Sequence, residues 1–118
     1  MLGPVYFYVI VGGGLAGLQL ALRLKDDVFF KGKKIAIIDP SFKIAEDKTW
    51  CFWEQGKGRW DSLISAEWKT GKFISTTAEE DLDLKPYSYK MLTSEKFFEY
   101  ALAEIRKSED LFLIEDEI

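Results

Sequence analysis

Gly12, Gly14 and Gly17 form a G-x-G-x-x-G spacing, and Asp39 follows the last of them by about twenty residues. These residue types at this spacing suit the capture of a dinucleotide. Gly12 permits a tight turn, Gly14 lets backbone approach a pyrophosphate, and Gly17 lets a helix pack closely on a sheet. The phosphates would rest on the N–H groups of a first helical turn. Those groups have no intrahelical partner and lie at the positive end of the helix dipole, so no lysine is needed to hold the anion. The Asp39 carboxylate would accept hydrogen bonds from both hydroxyls of an adenosine ribose and repel a 2′-phosphate, which disfavours NADP at this position. The plainer reading of the same glycines is a turn between a buried strand and a helix, with no ligand.

The surrounding elements decide between the two. Phe7 to Val11 is a β-rich run leading into the glycines, and Leu15 to Lys25 is helix-forming. That helix is apolar nearly all round, with Gln19 and Arg23 as its only polar stripe, and is expected to be buried on most sides. Ile35 to Ile38 is a continuous apolar run, as in a parallel strand covered on both faces. Pro40 then holds Asp39 extended. Lys31-Gly32-Lys33-Lys34 reads as a solvated turn before this second strand. The fingerprint therefore stands in the strand–turn–helix–strand context that it requires.

Farther along, Phe97, Phe98, Ala101, Leu102 and Ile105 recur at helical spacing, with Thr93 or Ser94 as N-cap. Leu111 to Ile114 would return as another parallel strand. Between residues 40 and 93 lies a long aromatic excursion. Thr70-Gly71 between alternating runs predicts a β-hairpin turn there. Glu79-Glu80-Asp81 reads as a solvated turn rather than a metal site. Tyr87, Tyr89 and Met91 alternate with Ser88, Lys90 and Leu92, which predicts a half-buried strand. The predicted fold class is α/β, a Rossmann-type FAD/NAD(P)-binding βαβ unit with an inserted aromatic-rich β segment.

One cysteine and no histidine exclude a Cys/His zinc site, a histidine-based triad, a Cys-His nucleophile pair and a disulfide framework. Cys51 is expected to be a small buried hydrophobe in a reducing compartment. A net charge of -4 leaves no basic field for nucleic acid. Phe7 to Leu24 superficially resembles a leader, yet no positive charge precedes it and three glycines interrupt it. A cytoplasmic protein without a spanning helix is expected. The 118 residues are 47% hydrophobic, enough for a moderate core. A dinucleotide fold nevertheless needs more parallel strands than can be counted. Residues 1–118 are therefore read as the N-terminal part of an FAD-binding domain, with the substrate domain outside this chain.

The excursion carries a more specific run, Lys48-Thr49-Trp50-Cys51-Phe52-Trp53-Glu54. Joined to the fingerprint and to Ile38-Asp39-Pro40, it resembles the flavin-dependent lycopene β-cyclases of carotenoid synthesis. Pro86 to Met91 and the Phe-rich helix look similar too. The resemblance implies a two-domain flavoprotein that binds FAD and closes β-ionone rings at the ends of a linear carotene. The implied reaction is a net isomerisation: protonation of a terminal double bond, ring closure of the carbocation, then proton loss. The flavin would act in reduced form without net electron transfer, with NAD(P)H as reductant. A carotenoid substrate implies reversible contact with the inner face of the membrane.

Carried over residue by residue, Gly12, Gly14 and Gly17 match the family's phosphate loop and Asp39 its ribose acid. Thr49 and Trp50 match its Thr-Trp pair and would line the cofactor cleft. Lys48 stands where relatives often have arginine or histidine, and Glu54 where some have His or Asp. No catalytic residue is assigned, because the family's proton-donating acidic motif lies farther along the chain. The isolated segment is therefore expected to be inactive. On physical grounds alone, Trp50 is balanced between cofactor lining and core packing, whereas Phe52 and Trp53 are expected in the core. Two other readings compete: another FAD-dependent oxidoreductase or monooxygenase, and a non-catalytic nucleotide-binding fragment.

Overall fold

The computed structural model describes residues 5–44 and 48–118. Among these the elements run β1 (Tyr8–Val11), α1 (Leu15–Lys25), a 3-10 turn (Val28–Phe30), β2 (Ile35–Asp39), β3 (Thr49–Gln55), β4 (Ala66–Trp68), β5 (Thr70–Ile74), β6 (Glu79–Asp83), β7 (Tyr87–Thr93), α2 (Ser94–Lys107) and β8 (Leu111–Glu115). The chain divides into two units, Met1–Ile44 with Phe98–Ile118, and Ala45–Phe97.

In the first unit, β-branched runs form a parallel sheet of order β1-β2-β8. Ile10 stands beside Ile37, and Ile37 beside Leu113. Central β2 buries Ile35, Ala36 and Ile37, so the expected continuous apolar strand is observed. Edge strand β1 differs, leaving Val9 and Val11 51% and 68% exposed. The helix α1 has the expected bounds but not the expected burial. Leu18, Ala21 and Leu22 are buried while Leu20 is 49% exposed. Apolar composition does not by itself cover a helix; α1 buries a single stripe. The Lys25 ammonium lies 3.7 Å from the Glu104 carboxylate on the C-terminal half of α2.

The turn after α1 is solvent-exposed as expected. Gly32 takes a φ of +82°, and its N–H donates to Asp110 at 2.8 Å, anchoring the turn to the segment that enters β8.

The second unit holds an antiparallel sheet of order β3-β7-β4 and a two-stranded β5-β6 hairpin. The predicted hairpin exists, but its turn is misplaced in the sequence reading. Thr70 and Gly71 begin β5, and the reversal occurs at Ser75–Ala78, where Ser75 Oγ accepts from the Thr77 and Ala78 N–H groups at 3.3 and 3.0 Å. Tertiary pairing overrides the local turn signal: β4 ends at Trp68 and pairs with β7, not with β5. Glu79-Glu80-Asp81 is likewise strand rather than turn. It is exposed, and Lys72 across the hairpin reaches Glu79 at 2.9 Å and Asp81 at 3.7 Å.

The alternation read for β7 is present, and its buried side is Ser88, Lys90 and Leu92. At the start of α2, Thr93 Oγ1 accepts from the Lys96 N–H at 3.5 Å, as an N-cap does. Ser94, the other candidate, accepts instead from the Lys48 N–H at 3.2 Å. No helix among the described residues is long and apolar enough to cross a membrane.

Candidate functional site

Gly12 and Gly17 each meet a physical requirement that only glycine satisfies, whereas Gly14 leaves space open. Gly12 has a φ of +107°, a region where side chains are strained, and its N–H donates to the Ile38 carbonyl at 2.7 Å. A Cβ on Gly17 would overlap the Gly12 carbonyl oxygen, so the helix can approach the loop only because residue 17 has no side chain. Gly14 is the N-cap of α1. No side chain caps this helix and no acid stands in its first turn. A Cβ built on Gly14 meets nothing within 4 Å. The positive end of α1 thus faces open space and is not neutralised by a side-chain cap.

Asp39 ends β2 and closes onto this loop. Its Oδ2 accepts from the Gly13 N–H at 2.9 Å and its Oδ1 from the Ser41 N–H at 3.0 Å. Each oxygen keeps a further lone pair for another donor. Gly13, for which the G-x-G-x-x-G spacing sets no requirement, proves to be the connecting residue. A Cβ there would strike the Phe42 ring and lie 3.2 Å from the Asp39 Cβ. Three consecutive glycines, where the spacing demands only the outer two, are the signal that could have found it. A concavity of about 340 Å³ beside Asp39 is lined by Val11, Gly12, Ile38 and Pro40 and, after β8, by Asp116, Glu117 and Ile118. It lies at the carboxyl ends of β1 and β2, where open α/β sheets receive ligands. The residues present therefore fit an adenine dinucleotide: helix amides and space for a pyrophosphate, and a fixed carboxylate for ribose hydroxyls.

In the second unit the aromatic run of β3 follows strand alternation. Thr49 is exposed and pairs with Thr93. Trp50 is half-buried, its ring edge-on to Phe97 at 5.7 Å between centroids. Phe52 is half-buried on the same side. Trp53, expected in the core, is 57% exposed and lies against Tyr89 at 4.6 Å. Cys51, expected to be buried, is exposed. Both corrections have one cause: with a period of two, Cys51 and Trp53 must face away from Trp50 and Phe52.

Glu54 is engaged in an ion cluster. The Lys90 ammonium, fully buried, donates to Glu54 Oε1 and Asp61 Oδ1, both at 2.7 Å, and to the Gly56 carbonyl at 2.8 Å. Burial alone would lower the Lys90 pKa, but hydrogen bonds to Asp61 and Glu54 hold it above its ordinary value. The Lys90 hydrogen bond, helped by the Gly58 N–H, holds Asp61 below the usual carboxylate value. All three ammonium protons are used, which marks the cluster as a clamp on the loop after β3.

A parallel β1-α1-β2 unit with β8 beside β2, and an antiparallel segment between, is a mixed α/β protein of Rossmann-like class. Residues 8–113 match the family model described as lycopene cyclase protein. The chain belongs to the lycopene cyclase family. No curated protein matches it.

Proposed function

We propose that this chain is the FAD-binding portion of a flavin-dependent lycopene β-cyclase, which converts the linear ends of a carotene to β-ionone rings without net oxidation. Family membership supports the reaction class. The carrying observation for the cofactor is the uncapped α1 N-terminus facing open space at Gly14, with Asp39 fixed against the Gly13 amide. Gly12, Gly14 and Gly17 would hold the pyrophosphate and Asp39 the adenosine ribose. Thr49 and Trp50 stay in the proposal through the family's Thr-Trp pair.

When bound, the flavin serves the cyclisation in reduced form, with NAD(P)H as reductant. The chain's own residues orient it through the adenosine half and leave the proton donor to a segment of the protein beyond these elements. The protein works in the cytoplasm with peripheral membrane contact, since its substrate is a hydrocarbon. The test is the visible spectrum of the purified protein before and after acid release, followed by anaerobic incubation with lycopene and NADPH. Released FAD and cyclised carotene support the reading. FAD with NADPH oxidation coupled to turnover of another substrate would favour an oxidoreductase, and a colourless protein that binds only ADP would favour a non-catalytic module.

A further inference from the structure

The turn between α1 and β2 serves neither the nucleotide loop nor the core. Val28 and Phe29 at its apex are 85% and 64% exposed. An ordered frame holds them there. The Asp27 carboxylate accepts from the Phe29 N–H at 2.9 Å, and the Lys31 and Lys33 N–H groups donate to the Val28 and Phe30 carbonyls at 3.1 and 3.0 Å. The half-buried Phe30 ring stands edge-on to Phe29 at 4.9 Å and to Tyr8 at 5.5 Å. The Lys33 ammonium lies 3.3 Å from the centroid of the Phe29 ring, so the turn presents an apolar ring and a cation side by side. Lys31, Lys33 and Lys34 fall within four positions, and no acid occurs from Val28 to Ile38. Without these three lysines the chain would carry -7 instead of -4. The nearby acids Asp26, Asp27, Glu109 and Asp110 all line a concavity of about 400 Å³ that Lys31 borders but to which Phe29, Lys33 and Lys34 contribute nothing. Of these acids, Asp27 and Asp110 are bound to turn amides, and Asp26 lies 3.7 Å from Lys25.

We propose that this turn docks the protein on an anionic phospholipid surface, with Val28 and Phe29 entering the boundary between headgroups and acyl chains and Lys31, Lys33 and Lys34 meeting lipid phosphates. The proposal rests on the peripheral membrane contact of the cyclase reading and gives that contact its residues. Charge complementarity selects the occupant. A chain otherwise at -7 is repelled by an anionic bilayer over the rest of its surface, so the lysine turn sets the orientation of approach. A ring beside an ammonium suits the lipid interface, where the ring enters the apolar boundary and the cation stays among the headgroups. A second copy of this chain seated on the turn about a two-fold axis would instead bring the same lysines against each other. The turn stands at the amino end of β2 and Asp39 at its carboxyl end, five residues or about 16 Å apart. Lipid contact at the turn therefore leaves the nucleotide loop free.

The test is flotation with two kinds of vesicle, phosphatidylcholine alone and phosphatidylcholine mixed with phosphatidylglycerol. The unaltered protein should float with the mixed vesicles, should bind the uncharged ones far more weakly, and should be released as salt rises. Val28→Ser/Phe29→Ser and Lys33→Gln/Lys34→Gln should each lose about tenfold or more in affinity for the mixed vesicles, whereas Lys33→Arg/Lys34→Arg should keep it. Melting temperature and flavin content should stay at the parent's values in all three, because the altered side chains lie outside the core. Equal vesicle binding by the serine and glutamine variants, or equal binding of the parent to both kinds of vesicle, would overturn the docking turn and leave the cyclase reading intact. So would a concentration-dependent dimer that the serine variant abolishes without any change in vesicle binding. A parent protein that holds no flavin yet docks on the mixed vesicles through these residues would overturn the cyclase reading and uphold the turn.

Discussion

Lys90 Nζ lies 2.7 Å from Asp61 Oδ1, so the only fully buried lysine among the described core residues is tied to a loop residue as well as to Glu54 of the neighbouring strand. With Glu54 as second carboxylate, it fixes the chain leaving β3 against the sheet. Breaking a buried pair from one side leaves uncompensated charge. Lys90→Met should therefore destabilise the protein by roughly 3 kcal/mol in urea titration, at the low end of the range because both carboxylates keep partial solvent contact. A loss within error would show that the cluster holds nothing in place.

The same pair sets a pH dependence. The Asp61 pKa is lowered from 3.8 in the folded protein, so its contribution is present above that value and lost as pH falls through the folded pKa. The Lys90 pKa is raised from 10.5, so its contribution is complete below that value and lost as pH rises through the folded pKa. Stability from this cluster should be flat between these limits. Asp61→Asn should flatten the acid limb of the midpoint-against-pH curve below pH 3.8. An unchanged acid limb in that variant would assign the acid sensitivity to other carboxylates.

Two glycines of the loop should separate folding from binding. A Cβ on Gly17 overlaps the Gly12 backbone, whereas one on Gly14 meets open space. Gly17→Ala should lower the melting temperature despite a helix-propensity gain of about 1 kcal/mol. Gly14→Leu should melt near the parent temperature yet lose bound flavin, because its side chain fills the space a pyrophosphate needs. Full flavin content in Gly14→Leu would dismiss the phosphate-loop assignment.

The legible parts of the sequence were those in which local pattern and tertiary demand agree. β1, α1, β2, α2 and β8 could be read because apolar period, glycine turn and cap all point one way. Thr70-Gly71 misled because a two-residue turn signal is local, while the pairing of β4 with β7 joins strands far apart in sequence. Trp53 and Cys51 face outward although their residue types favour a core, because strand parity decides the side on which each lies. The Lys90 cluster was invisible for a different reason. Glu54, Asp61 and Lys90 carry no spacing rule, and only the sheet register and the returning loop bring them together.

The β5-β6 hairpin gives an expectation of small effect. Lys72 bridges Glu79 and Asp81 across exposed strands, and such pairs contribute about 0–1 kcal/mol, screened by salt. Lys72→Ala should shift the melting temperature by no more than about 4 °C. A large shift would mean that the hairpin is held by those charges rather than by its ladder.

Asp39 offers the sharpest test of the cofactor site, because its carboxylate is bound to the Gly13 and Ser41 amides at 2.9 and 3.0 Å. Asp39→Ala removes the ribose acceptor and frees the loop, and should weaken FAD or ADP binding by about 1–3 kcal/mol in calorimetry. Asp39→Asn retains one amide-accepting oxygen and loses the charge, so it should fall between the parent and the alanine variant. It should also relax the bias against a 2′-phosphate, narrowing the gap between ADP and 2′-phospho-ADP affinity. If both variants bind ADP as the parent does, the carboxylate is a structural tie for Gly13 and the ribose is held elsewhere.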